Sequence, residues 1–79
     1  MNAQQPEPSL RDLLELCGEV LGVAEVDPRD DFFALGGDSL KALRLATLAE
    51  DRWGRALSVV TLFSVPDFAA LHAALTEPR

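Results

Sequence analysis

A second cysteine is missing from this chain of 79 residues, so no internal disulfide can form and a zinc knuckle built on paired cysteines is excluded. The lone Cys17 falls with Leu13, Leu14 and Leu21 on one helical face, with no base beside it, and reads as a buried structural thiol. Basic residues are scarce. Seven Lys and Arg stand against thirteen Asp and Glu, a formal charge of −6. No basic cluster exists to neutralise phosphates, which argues against nucleic acid as a partner. The acidic excess favours partners with basic surfaces, and it equally serves solubility. No apolar run is long enough to cross a bilayer, and the start lacks the basic-then-apolar order of a signal peptide. A cytoplasmic setting follows by default. No segment alternates as a strand and nothing repeats, while 79 residues allow one domain with one small core. An enclosed catalytic cavity does not fit that size.

Hydrophobic residues make up 48% of the chain, enough to fill such a core with helices. Residues 1–8, rich in Gln and Pro, read as a tail, and 77–79 as another, leaving 9–76 as the folded domain. Ser9 with Asp12 resembles a capping box, and Leu10, Leu13, Leu14, Cys17, Val20 and Leu21 then recur at helical spacing until Gly22. Residues 23–38 form a long connection, with Val26, Phe32, Phe33 and Leu35 spaced as anchors and Asp30 and Asp31 as caps of a short turn. A second helix runs from Ser39 to about Arg52, with Ala42, Leu45, Ala46, Ala49 and Trp53 on its core face. Ser58 caps a short third helix from Val59 to Phe63, Pro66 stops it, and Asp67 caps a last helix carrying Phe68, Leu71 and Leu75. The fold expected is all-α: three main helices, one short third helix and a long first loop.

Leu35-Gly36-Gly37-Asp38-Ser39-Leu40 stands at the junction of that loop and the second helix. The glycines allow φ > 0 and close approach of another backbone, Asp38 suits an N-cap, and Ser39 becomes the first helical residue. A phosphate ester on its hydroxyl would lie at the positive end of the helix dipole. Leu40, Leu43 and Thr47 form a stripe off the core face, fit for contact with other proteins.

Gly37-Asp38-Ser39-Leu40 also spells the signature of the GDSL esterases and lipases. A catalytic serine needs a base within reach and an oxyanion hole. The sole histidine, His72, lies late in the last helix, Asp67 does not match that family's Asp-x-x-His block, and no strand precedes the serine. No metal-ligand spacing is present either, so neither catalytic nor metal residues are assigned. An unmodified helical interaction module would explain the acidic surface and the leucine stripe. It does not explain a serine behind two glycines at a helix tip.

Leu21-Gly22-Val23, Asp31-Phe32-Phe33, Leu35-Gly36-Gly37-Asp38-Ser39-Leu40, Leu45 and Leu62-Phe63 followed by Pro66 together resemble a carrier protein. The similarity runs from about Leu10 to Leu75, and its nearest branch is the peptidyl carrier (thiolation) domain of nonribosomal peptide synthetases. The resemblance implies a four-helix fold like that of acyl carrier proteins and a 4′-phosphopantetheine arm on Ser39, flanked by Gly36, Gly37 and Asp38. A phosphopantetheinyl transferase would add the arm from coenzyme A. Its thiol would carry aminoacyl or peptidyl thioesters from an adenylation enzyme to condensation or tailoring enzymes. The carrier itself would be a monomer that makes no bonds. Leu40, Leu43 and Leu62 are the expected partner surface, whereas Phe32 or Phe33, Leu45, Ala49, Trp53, Phe63, Phe68 and Leu71 are the expected core. Gly36-Gly37 before Asp38, with Lys41 and Arg44 after Ser39, favours the peptide branch over an acyl carrier of polyketide or fatty-acid pathways. Many peptidyl carriers have His where this chain has Asp38. The initiating Met suits a free-standing carrier and equally an excised domain.

Overall fold

Ser9 and Asp12 form a reciprocal capping box: the Asp12 N–H donates to Ser9 Oγ and the Ser9 N–H to Asp12 Oδ2, both at 3.0 Å. That opens α1, Leu10–Leu21, in the computed structural model, which describes residues 8–76. Gly22 closes α1 in the left-handed conformation at φ 76°, where a side chain would be strained. Three helices follow, α2 (Ser39–Trp53), α3 (Val59–Ser64) and α4 (Phe68–Thr76), and no strand occurs among the described residues. α1 packs on α2 and α4, and α3 packs on the same two helices. The expected tails lie outside the described residues except for Pro8. That residue is buried, and its carbonyl lies 2.8 Å from His72 Nε2, so it belongs to the fold rather than to a tail.

The core joins Leu13, Leu16, Cys17, Val20 and Leu21 of α1 to Ala42, Leu45 and Ala49 of α2, Leu62 of α3 and Phe68, Leu71 and Leu75 of α4. Leu16, absent from the expected apolar face, is fully buried, whereas Leu14 is only half-buried. Leu57, just before α3, and Phe32 in the first loop complete the core. Burial pushes the Cys17 thiol up to about 12, so it remains protonated at neutral pH.

The long first loop is sewn down along its length. Asp27 and Asp30 close one turn, with the Asp30 N–H donating to Asp27 O at 2.9 Å and the Asp27 N–H to Asp30 Oδ2 at 3.0 Å. The loop then gives two carbonyls to the start of α4, Asp30 O to the Phe68 N–H (3.1 Å) and Pro28 O to the Ala69 N–H (2.9 Å). Asp67 Oδ1 accepts from the Ala70 N–H at 2.9 Å. Donors that a helix start otherwise leaves without partners are thereby satisfied, and the loop gains a fixed seat. Asp31, as expected, caps the turn over the two phenylalanines through its Oδ2 and the Ala34 N–H (2.9 Å). Asp30 serves the neighbouring turn instead.

Candidate functional site

The turn over residues 32–36 delivers the chain to the start of α2. Leu35, Gly36 and Gly37 N–H groups donate back to the carbonyls of Asp31, Phe33 and Phe32 at 3.2, 3.2 and 3.1 Å. The two glycines do different work. Gly36 sits at φ 101°, a backbone region that L side chains rarely adopt, with open space around it. Gly37 has no positive φ, but a Cβ there would lie 2.4 Å from two carbons of the Phe32 ring and 2.7 Å from its carbonyl oxygen. Its close approach is thus to the chain's own Phe32, not to a second molecule as the sequence alone implies. Because Phe32 is buried and cannot swing aside freely, Gly37→Ala should cost about 1–3 kcal/mol, read by urea unfolding.

Asp38 is the N-cap of α2, its Oδ1 accepting from the Lys41 N–H at 2.9 Å. Lys41 closes the same loop with its side chain, Nζ donating to Gly36 O at 3.1 Å. This second clamp escaped sequence reasoning; the available signal was a lysine in the first helical turn, long enough to reach back over the N-terminus. Ser39 follows as the first helical residue. It is exposed, and among the described residues its hydroxyl has no hydrogen-bond partner. The loop is fixed on both sides of a serine that is itself left free.

No described side chain hydrogen-bonds that hydroxyl, and the neighbouring Asp38 carboxylate is engaged at the Lys41 N–H. His72 lies on α4, which packs on α1 and α3 rather than on α2, and its Nε2 is engaged at Pro8. The described residues contain no group of three or more His, Cys, Asp or Glu able to hold a metal ion. None of their helices is long and apolar enough to cross a membrane. A phosphodiester on Ser39 fits this setting: the residue is exposed, and the α2 N-terminus favours negative charge beside it.

Among the described residues four large apolar side chains are exposed, all on α2 and α3: Leu40 (78%), Leu43 (56%), Val60 and Phe63 (58%). Leu40 and Leu43 therefore lie off the core, where the sequence places them. Leu62 and Phe63 exchange their expected roles. Leu62 is 1% exposed and belongs to the core, while Phe63 faces outward and stacks on Phe33 with centroids 4.6 Å apart. One residue is a turn of roughly 100° on a helix, so the core-facing phase of α3 runs through Leu62. Trp53, also expected in the core, packs only partly buried at the end of α2.

Residues 11–75 match the family described as "Phosphopantetheine attachment site". Over 65 residues the chain is 42% identical to chondramide synthase cmdD of Chondromyces crocatus, a stretch that covers 82% of this chain and 2% of that protein. The solved structure of a "Non Ribosomal PCP domain" superposes with a TM-score of 0.73 at 38% identity, covering 90% of this chain and 92% of the other. The phosphopantetheine transferase Sfp in complex with coenzyme A and a peptidyl carrier protein includes a chain that superposes with a TM-score of 0.83 at 29% identity. There the match covers 95% of this chain and 99% of that one.

Proposed function

Because this chain belongs to the phosphopantetheine attachment family, among the peptidyl carrier domains of nonribosomal peptide synthesis, we propose that Ser39 carries the 4′-phosphopantetheine arm. The observation that carries this reading is a free, exposed hydroxyl at the first position of α2, behind a loop clamped by Phe32 and Lys41. When bound, the arm supplies a terminal thiol that holds cargo as a thioester. The chain's only thiol, Cys17, is buried and protonated, so it does not compete for that cargo. Gly36 and Gly37 shape the turn that leads into Ser39, Asp38 caps the helix, and the start of α2 stabilises the phosphate charge.

The protein is a substrate of other enzymes: a phosphopantetheinyl transferase that installs the arm, an adenylation enzyme that loads an amino acid, and condensation or tailoring enzymes that receive it. The similarity to a carrier held in a transferase complex with coenzyme A supports the first of these partners. Leu40 and Leu43 form the partner surface, with Val60 and Phe63 taking the place on α3 that the sequence assigns to Leu62. Small, partly apolar patches suit contacts that must be exchanged between successive enzymes. Leu43→Ala should leave folding stability within about 0.5 kcal/mol and slow arm transfer about three- to tenfold, measured by urea unfolding and by transferase kinetics.

The test of the peptide assignment starts from arm-bearing protein. Given an amino acid, ATP and a broad-specificity adenylation enzyme, it should gain an aminoacyl mass that hydroxylamine removes. Loading only by a malonyl or fatty-acyl transferase would instead place it among acyl carriers, and failure of the folded protein to take up the arm in the first place would favour an unmodified interaction module.

A further inference from the structure

All four phenylalanines of the chain form one continuous series of ring contacts. Phe68, buried at the start of α4, meets Phe32 edge-on at 6.4 Å. Phe32 meets Phe33 edge-on at 5.1 Å, and Phe33 stacks on Phe63 with an interplanar angle of 12°. The middle of this series is the serine loop itself, because the Phe32 ring fills the space that a Gly37 side chain would need and its carbonyl holds the Gly37 N–H. The outer end is α3, a helix of only six residues with a single fully buried side chain, Leu62. A helix that short gains little from its own hydrogen bonds and depends on side-chain anchors.

We infer that Phe63, acting through Phe33 and Phe32, is a positioning residue for Ser39: it locks α3 to the loop, so that the hydroxyl and α3 are presented to a modifying enzyme as one rigid unit. The inference rests on the carrier reading for its consequence in arm transfer, but not for the coupling itself. Phe63 is more than half exposed, so its removal leaves the core intact. What is lost is a stacked pair, whose usual contribution corresponds to about a two- to tenfold change in the local opening equilibrium. The amides that report it are those of Leu35, Gly36 and Gly37, all bonded within the turn.

The experiment compares wild type with Phe63→Leu, which keeps an apolar side chain but no ring, and Phe63→Tyr, which keeps the ring. Amide hydrogen exchange is followed on the unmodified proteins, and kcat and KM are measured for arm transfer from coenzyme A. Phe63→Leu should speed exchange at Leu35, Gly36 and Gly37 several-fold, leave α1 amides unchanged and lower kcat, with Phe63→Tyr restoring both. Unchanged loop exchange with an effect confined to KM would overturn the inference, since Phe63 would then be a contact residue only. Faster exchange spread evenly through α1 and α4 would overturn it as well, by showing a general loss of stability. If wild type accepts no arm at all, the carrier reading fails while the exchange comparison still decides the coupling.

Discussion

Ser39→Ala should yield a protein that folds as wild type does and accepts no phosphopantetheine. The two halves of that expectation come from the same geometry. Ser39 Oγ has no hydrogen-bond partner among the described residues and its side chain is exposed, so truncation removes no native contact. Alanine is also the better helix former, by a few tenths of a kcal/mol. Stability should therefore stay within about 0.5 kcal/mol of wild type. Capping is unaffected, because Asp38 rather than Ser39 receives the Lys41 N–H. Arm transfer, in contrast, should fall to zero rather than to a fraction, since a methyl group offers no oxygen for the ester. Intact mass and urea unfolding on one sample report both halves. A stable variant that still gains the arm would place attachment at another hydroxyl, and a variant that unfolds would mean the serine has a structural role that the geometry does not give it.

Phe32→Ala should have the opposite profile, with the serine present and the fold failing. Phe32 is 3% exposed, lies edge-on to Phe68 and Phe33, and is the surface against which Gly37 packs. Deleting a buried Phe side chain costs about 3–5 kcal/mol. A domain of this size has about 4–12 kcal/mol in all, at the usual stability per residue. The variant should lose much of that margin, seen as a large fall in the urea midpoint or as loss of helical circular dichroism near 37 °C. Leu43→Ala, on an exposed stripe of α2, should show neither. Stability equal to wild type in Phe32→Ala would show that the first loop is not part of the core.

Much of this was legible in the residues. Helix ends were written in local chemistry: Ser9, Asp38, Ser58 and Asp67 each accept a backbone N–H where their positions before apolar runs imply, and Gly22 and Gly54 end α1 and α2 at φ 76° and 65°. The core face of α2 was equally plain at Ala42, Leu45 and Ala49, because fifteen residues give several repeats of one phase, while Ala46 and Trp53, expected on the same face, are only partly buried. The misses arise where phase is poorly determined or where contacts are long-range. α3 has less than two turns, so its pattern cannot separate Leu62 from Phe63; packing against α2 and α4 decides it. α1 lies between α2 and α4, which widens its buried arc enough to take in Leu16 while leaving Leu14 at the edge. The expected positive φ holds at Gly36 and not at Gly37, which matters for its missing Cβ and whose neighbour is not another molecule, since the Phe32 ring that excludes a Cβ is five residues away in sequence. Nor does local pattern reveal that Pro28 and Asp30 cap α4 or that Pro8 meets His72, because those partners are remote in the chain.

On the proposed reading, this fold presents one hydroxyl for decoration. The most direct test of that reading is to treat the wild-type protein with coenzyme A and a broad-specificity phosphopantetheinyl transferase, digest it and sequence the modified peptide by mass spectrometry. A single pantetheine-bearing peptide is expected, with the added mass assigned to Ser39. An added mass on Ser9, Ser58 or Ser64, or folded protein that emerges unmodified, would contradict it.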